Sequence, residues 1–385
     1  MILKNHTKVK KIIKTTFCVF ILCSLISCGG KVEQSSDQIS MIVGTYTGTG
    51  SEGIYSLSFD QENGNFRMLD SLKAVNPSYL IFNSEENIIY TVNEVENDEA
   101  GLSAVGFDKS NGKLTLINGV ATDSGAPCYI ATNGNIVATA NYGGGSLTLF
   151  PLAMDGRLLP RDTIIYGNIG GPDSTRQETP HVHCVEFTPD GNYLLATDFS
   201  ADRLMVFKIS DDGKQLECVE NENGDSYTVP VMSDYGPRHI IFDKTGKHAY
   251  VIGELSGMIT LFDYQDETLV SKQVIDADPY DGRGSADIHL SPDGQFLYAS
   301  NRLKGDGISI FAVNPDSGEL SEIGYQLTGK HPRHFNITPN GKYLLVACRD
   351  NDNIEIFLRN PETGLLSDTG RRINIPMPVC VQFAE

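Results

Sequence analysis

The sequence predicts an all-β protein, specifically a seven-bladed β-propeller, on the basis of its repeats, its strand composition and the pairing of its two ends. A phrase returns roughly every 50 residues: an apolar strand, a turn of the Pro-Asp-Gly kind, a second apolar strand and a third strand that ends in Phe. The clearest copies start at His183, Arg238, Asp287 and Arg333. Short strands rich in Val, Ile, Tyr and Phe at this period are typical of propeller blades.

Weaker copies of the repeat start at Ser78 and Cys128, which brings the count of unbroken repeats to six. A seventh is split between the chain ends. Residues 379–383 match the first strand of a repeat, whereas residues 41–46 and 53–57 match the second and third. A blade built from both ends closes the ring and leaves no strand edge open. Seven blades of about 50 residues fill residues 40–385, so we expect one propeller domain and no second domain.

The turns agree with this prediction. Residues 188–191, 291–294 and 338–341 suit type I turns, in which Pro fixes φ and Gly follows at the exit. Outer hairpins are predicted where Gly112, Gly156, Gly318 and Gly364 supply the left-handed position. No run shows a convincing helical period, and a solenoid seldom splits one repeat between both termini.

The first residues read as an export signal. Lysines between Lys4 and Lys14 precede an apolar run of residues 17–26, which is too short to span a bilayer. The run ends in Leu-Ile-Ser-Cys, which resembles a bacterial lipobox. We therefore expect residues 1–27 to be a lipoprotein signal peptide, Cys28 to be lipidated, and residues 28–39 to be a flexible tether. An ordinary signal peptide is the alternative. The predicted location is the cell-envelope membrane, at its periplasmic or cell-surface face, with contact through the lipid anchor only.

The charge of the chain restricts its partners. The formal net charge of the 385 residues is -19. A body this acidic repels phosphate backbones and argues against a nucleic-acid partner. Any anion-binding role must come from a local group of arginines.

Five of the eight cysteines lie beyond the predicted lipid site, namely Cys128, Cys184, Cys218, Cys348 and Cys380. Five is an odd number, and no CxxC spacing occurs. We expect these residues to be small buried apolar side chains and not metal ligands, with one disulfide left possible in an exported protein.

One aligned position of the first strands is predicted to line the channel. Around the ring it is occupied by Ser78, Cys128, His183, Arg238, Ala286, Arg333 and Val379. Side chains alternate along a strand, and the innermost strand of each blade borders the axis, so this set is predicted to converge. By the same alternation, His239 and His334 are predicted to point away from the channel.

A second set follows the next strand of each repeat and is predicted to rim the same pocket. It comprises Glu94, Tyr142, Phe199 with Asp198, Glu254, Arg302 and Arg349. Buried charges persist only where they are paired or used on a ligand. Arginine–glutamate pairs that merely tie neighbouring blades together are the alternative to a site.

The pair His181-x-His183 has the spacing of half a metal site. No second histidine pair or carboxylate has matching spacing, so we expect no metal ion and no other cofactor, with a hydrogen-bonded histidine in the channel.

The ordered motifs are similar to those of the lactonase family that holds the propeller-type 6-phosphogluconolactonases and the fungal carboxymuconate-lactonising enzymes. The resemblance runs from Met41 to Phe383. Its motifs are residues 44–47, 53–55, 93–94, 140–146, 180–183, 236–239, 253–255 and 300–302. It implies His183, Arg238, Glu254 and Arg302 as catalytic residues. Glu94, Tyr142, Arg333 and Arg349 are the predicted substrate contacts. The family often has Gln where this chain has Arg349, which leaves the identity of the substrate open.

The resemblance implies hydrolysis of a sugar-acid lactone, a small-molecule substrate. Glu254 or His183 takes a proton from water, and the residues alone leave this choice open. Arg238 is predicted to stabilise the oxyanion, while Arg302 and Arg333 hold a phosphate or carboxylate. Because phosphogluconolactone arises in the cytosol and the signal predicts export, another aldonolactone or a uronic lactone remains open.

Three other functions remain as alternatives. One is a propeller that binds sugars or glycans without catalysis. Another is a lactone-forming, carboxymuconate-type cyclase. The third is a calcium-dependent, gluconolactonase-like propeller, whose carboxylate cluster is missing from the inner-strand positions.

Overall fold

In the described part of the chain there are seven antiparallel sheets, six of four strands and one of five, and strands from both ends of the chain share one of them. The structure is a computed structural model and describes residues 37–220, 223, 226–265 and 268–384. In blade 1 the strand order is β29-β1-β2-β3, so the last strand of the chain is the innermost one. These strands are β1 (Gln38–Thr45), β2 (Gly53–Asp60), β3 (Phe66–Lys73) and β29 (Pro378–Ala384). The predicted propeller and its closure by both termini are confirmed.

The other six blades follow in chain order, and each runs outward from its first strand. Blade 2 holds β4 (Leu80–Asn83), β5 (Ile88–Asn93), β6 (Gly101–Asp108) and β7 (Lys113–Ala121). Blade 3 holds β8 (Pro127–Thr132), β9 (Ile136–Asn141), β10 (Ser146–Pro151) and β11 (Thr163–Tyr166). Blade 4 holds β12 (Val182–Phe187), β13 (Tyr193–Asp198), β14 (Arg203–Ile209) and β15 (Leu216–Cys218), and β16 (Thr228–Pro230) also pairs with β14.

The last three blades complete the ring. Blade 5 holds β17 (Pro237–Phe242), β18 (His248–Gly253), β19 (Met258–Gln265) and β20 (Thr268–Asp276). Blade 6 holds β21 (Ile288–Leu290), β22 (Phe296–Asn301), β23 (Gly307–Val313) and β24 (Leu320–Leu327). Blade 7 holds β25 (Pro332–Ile337), β26 (Tyr343–Cys348), β27 (Asn353–Arg359) and β28 (Leu366–Asn374). Single turns of 3-10 helix at Phe199–Ala201 and Arg349–Asn351 follow the second strands of blades 4 and 7.

Neighbouring blades are joined through the glycine hairpins that the sequence predicts. The buried hydroxyls of Tyr250 and Tyr298 each donate to a hairpin carbonyl of the next blade, at Gly318 and Gly364, over 2.7 Å. Both glycines have φ near +70°, which only glycine adopts without strain. Each of these hydrogen bonds gives a buried tyrosine hydroxyl its acceptor and connects two neighbouring blades.

Inner strands carry β-bulges, and these change which side chains reach the axis. In β17, Pro237 pairs with Gly253 and His239 pairs with Ile252, so Arg238 between them has no partner across the ladder. Register shifts at the matching place occur in β8, β12 and β25. A bulge re-aims the side chains around it and is common beside functional sites.

Some predictions concern residues that the structure does not cover. The signal peptide, the lipidated Cys28 and all but the end of the tether lie outside the described residues. Among the residues that are described, no helix is long and apolar enough to cross a bilayer.

The five cysteines beyond Cys28 all have free thiols in this structure. Four of them are buried, as predicted. Cys218 is exposed on the outer strand β15, so its predicted burial is wrong. The periodic pattern of the sequence does not separate outer strands, which have one solvent face, from inner ones.

Candidate active site

Two layers of side chains line the described part of the central channel. The upper layer contains most of the predicted site residues: Glu94, Tyr142, His183, Arg238, Glu254, Arg302 and Arg333. The lower layer contains residues that follow the aligned inner-strand positions: Tyr79, Tyr129, His239, Asp287 and His334. Contacts across the ring establish the arrangement: Tyr79 of blade 2 lies against His239 of blade 5 and His334 of blade 7, with ring centroids 6.0 and 5.7 Å apart. Blades this far apart in the ring meet only across the axis.

Glu254 is the centre of the upper layer, and three guanidinium groups share its carboxylate. Arg238 Nε donates to Oε2 over 2.9 Å, and Arg302 Nη2 lies 3.2 Å from the same oxygen. Arg176 Nη2 donates to the other oxygen, Oε1, over 2.7 Å. Burial alone would raise the pKa of Glu254, but Arg302, Arg238 and Arg176 together hold it well below its usual range. This carboxylate is therefore ionised and is a weak proton acceptor.

Local backbone structure places Arg238 and Glu254 side by side. Gly236 precedes the bulge with φ of +58°, and a Cβ there would lie 2.7 Å from Leu255. The amide of Glu254 donates to the Gly236 carbonyl over 2.8 Å. The Gly-Pro-Arg sequence thus brings the start of β17 against the end of β18.

Arg238 and Arg302 are almost completely buried, with 2% and 6% of their side chains exposed. Arg238 Nη1 donates to the carbonyl of Ala286, and Arg302 Nε donates to the carbonyl of Gly284 over 2.7 Å. Burial lowers the pKa of both groups, that of Arg302 to about 9. Each remains a fixed cation at neutral pH, which suits stabilisation of negative charge in a dry site.

Arg333 and Glu94 form the other side of the upper layer. Arg333 Nη2 lies 3.7 Å from Glu94 Oε1, and its guanidinium lies over the ring of Tyr46 at 5.5 Å. The Tyr46 hydroxyl donates to the carboxylate of Glu94 over 2.9 Å, and Ser78 donates to it as well. Burial and Glu94 act together against Arg333 to raise the pKa of Tyr46, which keeps this hydroxyl a donor.

His183 is a neutral base in this charged setting. Its side chain is buried, and burial together with Arg238 lowers its pKa well below the usual value. The ring packs edge-on against Tyr142 at 5.5 Å and His239 at 5.4 Å. Cys128 lies 3.9 Å from Nδ1, and burial raises the pKa of this thiol, so it is not a thiolate nucleophile.

Arg176 is a functional candidate that the sequence patterns missed. It lies on the segment of residues 167–181 between β11 and β12, called the rim segment here. Its Nη2 donates to the Tyr142 hydroxyl over 3.1 Å as well as to Glu254. The rim segment belongs to no repeated position, so alignment of the repeats gave no signal for it. Tyr46, by contrast, lies within a motif that carried the family resemblance.

The rim of the pocket also contains His181. Its ring stacks on Tyr142 at 4.0 Å, and its Nδ1 donates to the Tyr142 carbonyl over 2.6 Å. His181 precedes β12, whereas His183 lies within it at the bulge, so the two rings occupy different surroundings.

The prediction that His239 and His334 point away from the channel is wrong. The bulges at Arg238 and Arg333 interrupt the alternation on which that prediction relied. Both rings instead lie in the lower layer with Tyr79, Tyr129 and Asp287. Tyr79 and Tyr129 stack at 4.1 Å, and Tyr129 packs edge-on against His239 at 5.0 Å.

Asp287 organises the lower layer. His239 Nδ1 donates to Oδ1 over 2.9 Å, while His289 Nε2 and the Phe335 amide donate to Oδ2 over 3.0 and 3.1 Å. His334 Nε2 lies 3.6 Å from Oδ2 without a hydrogen bond. Although burial opposes it, His334 and His289 hold the pKa of Asp287 well below its usual value.

Asp287, His289 and His334 are also the described residues whose ligand atoms lie near enough to share a metal ion, all within 4.8 Å of one another. The hydrogen bonds fit such an ion poorly. The Val381 amide donates to His334 Nδ1 over 3.3 Å, which leaves the ring proton on Nε2, the atom that would have to bind the metal. His289 Nε2 likewise donates to Asp287. The group is better described as a hydrogen-bonded carboxylate.

Most of the sequence-predicted site residues come together in the upper layer: His183, Arg238, Glu254, Arg302, Glu94, Tyr142 and Arg333. Arg349 is the exception, because its guanidinium donates from Nε and Nη2 to the adjacent Asp350. The electrostatic influence of Arg349 reaches His331 beside the pocket, whose pKa is lowered to about 3 by burial, Arg302 and Arg349.

Fold and site together define a propeller with a positively charged channel mouth, and the comparisons with known proteins place it in a family. The family model described as "Lactonase, 7-bladed beta-propeller" matches residues 40–383. The chain belongs to this family, as the sequence motifs predicted.

Relatives of this chain cover nearly its whole length. A 6-phosphogluconolactonase of Bacillus subtilis is 36% identical over 89% of this chain and 97% of its own. A solved structure from Bacteroides uniformis is 52% identical and covers 90% of this chain and 99% of its own, with a TM-score of 0.87. The periplasmic gluconolactonase PpgL of Pseudomonas aeruginosa is 32% identical and covers 90% of this chain and 99% of its own, with a TM-score of 0.84.

Proposed function

We propose that this protein hydrolyses the lactone of a sugar acid in the upper layer of the channel, without a metal ion. The observation that carries the proposal is a neutral, buried His183 beside guanidinium groups that are held by one ionised carboxylate. Lactone hydrolysis needs a base for water and fixed cations for the oxyanion. The names of the relatives from B. subtilis and P. aeruginosa support the same reaction class.

In the proposed mechanism, water attacks the lactone carbonyl carbon while His183 takes the water proton. Arg238 and Arg302 stabilise the oxyanion of the tetrahedral intermediate. As the intermediate collapses, the bond from the carbonyl carbon to the ring oxygen breaks. The leaving oxygen takes the proton back from the His183 imidazolium, which yields the open hydroxy acid and the free enzyme.

His183 is preferred to Glu254 as the base because both carboxylate oxygens of Glu254 are already engaged by guanidinium groups. Glu254 is surrounded by three guanidinium groups that keep its pKa low, so it accepts a proton reluctantly. Its proposed role is to position Arg238 and Arg302. Glu94, Tyr46 and Arg333 are proposed to contact the hydroxyls of the sugar acid.

The test is hydrolysis of freshly prepared 6-phosphogluconolactone and of unphosphorylated gluconolactone, each measured above its spontaneous rate. We expect acceleration by the wild type and its loss in Arg302→Ala. Arg157→Ala is the matched control, because Arg157 is an exposed arginine on an outer hairpin of blade 3 that pairs only with Asp155 among the described residues. No acceleration of either lactone by a folded wild type would overturn the proposal in favour of a sugar-binding propeller.

We also propose that the protein is exported and anchored through a lipid on Cys28. The support is the lysine-rich and apolar start of the chain with its lipobox-like end. The periplasmic gluconolactonase named above gives this family a precedent for work outside the cytosol. Labelling with a radioactive fatty acid is expected to mark the wild type and not Cys28→Ser, and equal labelling would contradict the anchor.

A further inference from the structure

The arginines of the upper layer differ in how much solvent they meet. Arg238 and Arg302 expose 2% and 6% of their side chains, and Arg333 exposes 15%. Arg176 exposes 35%. A group on a ligand that is held from the open end of the channel therefore meets Arg176 before the buried pair.

Arg176 also has N–H groups that are not used in the hydrogen bonds to Glu254 and Tyr142. A guanidinium has five N–H donors. Among the described residues, the hydrogen bonds of this side chain, to Glu254 and to Tyr142, both start from Nη2. The Nε and Nη1 groups of Arg176 can therefore donate to a ligand. By contrast, Arg238 and Arg302 donate to backbone carbonyls as well as contacting Glu254.

The rim segment is held firmly, so Arg176 is positioned before any ligand arrives. Gln177 donates to the Phe199 carbonyl over 3.0 Å and to the buried Asp202 over 2.8 Å. Asp173, three residues before Arg176, accepts from Arg283 over 2.8 Å. The guanidinium of Arg176 itself lies over the Phe199 ring at 5.4 Å. Preorganisation of this kind lowers the entropy lost on binding.

Glu254 lies between Arg176 and the two arginines proposed to stabilise the oxyanion, Arg238 and Arg302. Arg238 and Arg302 contact Oε2, and Arg176 contacts Oε1 on the more exposed side. If the lactone carbonyl lies at the buried pair, the far end of the substrate extends toward the mouth and Arg176. In the described part of this layer, four guanidinium groups form ion pairs with two carboxylates, Glu254 and Glu94, which leaves positive charge for an anion.

From this geometry we infer that Arg176 is a specificity-determining residue, which binds a phosphate or carboxylate at the end of the lactone remote from its ester. The inference rests on the proposed function. It assigns selection of charged lactones to a rim segment that lies outside the repeated blade positions.

The experiment compares the wild type with Arg176→Gln, Arg176→Lys and the control Arg157→Gln. The first measurement is kcat and KM for 6-phosphogluconolactone, a uronic lactone and neutral gluconolactone. The second is calorimetric binding of 6-phosphogluconate, which needs no turnover. We expect Arg176→Gln to raise KM for one charged lactone at least tenfold with a smaller change in kcat. If Arg176 binds phosphate, the affinity of Arg176→Gln for 6-phosphogluconate is expected to fall by a similar factor.

The substitutions distinguish anion binding from a purely structural tie to Glu254. A tie would change kcat for neutral and charged lactones alike. A KM for the charged lactone that is close to the wild-type value in Arg176→Lys supports anion binding. The charged lactone whose KM changes in Arg176→Gln shows whether Arg176 binds phosphate or carboxylate. Equal KM ratios in Arg176→Gln and Arg157→Gln would overturn the inference while lactonase activity stands. Arg176-dependent binding of 6-phosphogluconate without any lactone turnover would overturn the proposed function alone. A wild type that neither binds nor hydrolyses these compounds would overturn both.

Discussion

The upper and lower layers of the channel are built from adjacent residues of the same strands, yet their electrostatics are opposite. Arg238 and Arg333 place guanidinium groups in the upper layer, and His239 and His334 place neutral rings directly below. The upper layer has more cations than anions, and the lower layer has one ionised carboxylate among neutral imidazoles. The comparison indicates that the bulge separates an arginine-rich layer from a layer built around one carboxylate.

The largest effect is expected when one histidine is removed from each layer, which tests whether the two layers differ in function. His183→Asn is expected to lower kcat by about 10²–10⁴-fold, the usual contribution of a general base. His239→Asn is expected to lower kcat less, because His239 hydrogen-bonds Asp287 and Arg238 Nη1 but accepts no proton in the proposed mechanism. Steady-state kinetics on gluconolactone decide this, with circular dichroism as the check on folding. Equal losses in the two variants would remove the distinction between the layers.

Removal of the central carboxylate from each layer tests charge balance through stability. Glu254→Gln is expected to lower the free energy of unfolding by about 3–5 kcal/mol, because buried guanidinium groups lose their counter-ion. Asp287→Asn is expected to lower it by about 1–3 kcal/mol, because its donors include the neutral His239 and the Phe335 amide and no guanidinium hydrogen-bonds it among the described residues. Urea denaturation measures both. A larger loss in Asp287→Asn would show that the lower layer carries the critical charge.

The pH dependence of stability sharpens the description of the lower layer. Burial, with Arg238, lowers the pKa of His239 to about 3. Below a pH of about 6.5 the unfolded chain takes up this proton and the folded protein does not, so stability falls as the pH falls from there toward 4. The slope is about 1.4 kcal/mol per pH unit for such a group.

His239→Gln is therefore expected to show a shallower loss of stability between pH 6 and pH 4.5, as measured by urea midpoints at each pH. The partly buried Glu186 acts in the opposite direction, since desolvation raises its pKa to about 8. Because Glu186 is present in both proteins, the difference between them reports His239. Parallel pH profiles would contradict a neutral His239.

Salt is expected to give the smallest effect and to act on the upper layer only. The KM for a charged lactone should rise severalfold between about 20 and 200 mM NaCl, because the partly exposed Arg176 and Arg333 are screened. The KM for neutral gluconolactone is expected to stay constant. Equal salt dependence for both lactones would argue against attraction by the channel mouth.

Prediction from sequence succeeded where a residue occupies a repeated position. Glu94, Glu254 and Arg302 each directly follow the second strand of a blade, so alignment of the repeats was enough to bring them to one rim. Arg349 has an equivalent position but pairs with its neighbour Asp350, so its contact with a substrate stays a prediction. Position along a strand does not determine which partner a long flexible side chain selects.

The sequence by itself determined the seven blades, their closure by both termini and most of the charged residues at the channel, because period and strand alternation are local properties of the chain. Only the tertiary structure decided that His239 and His334 enter the channel, since a bulge cancels alternation at one residue. It also decided that Arg176 reaches Glu254, 78 positions further along the chain. That contact depends on how the rim segment lies across the blades, and no local periodicity encodes such packing.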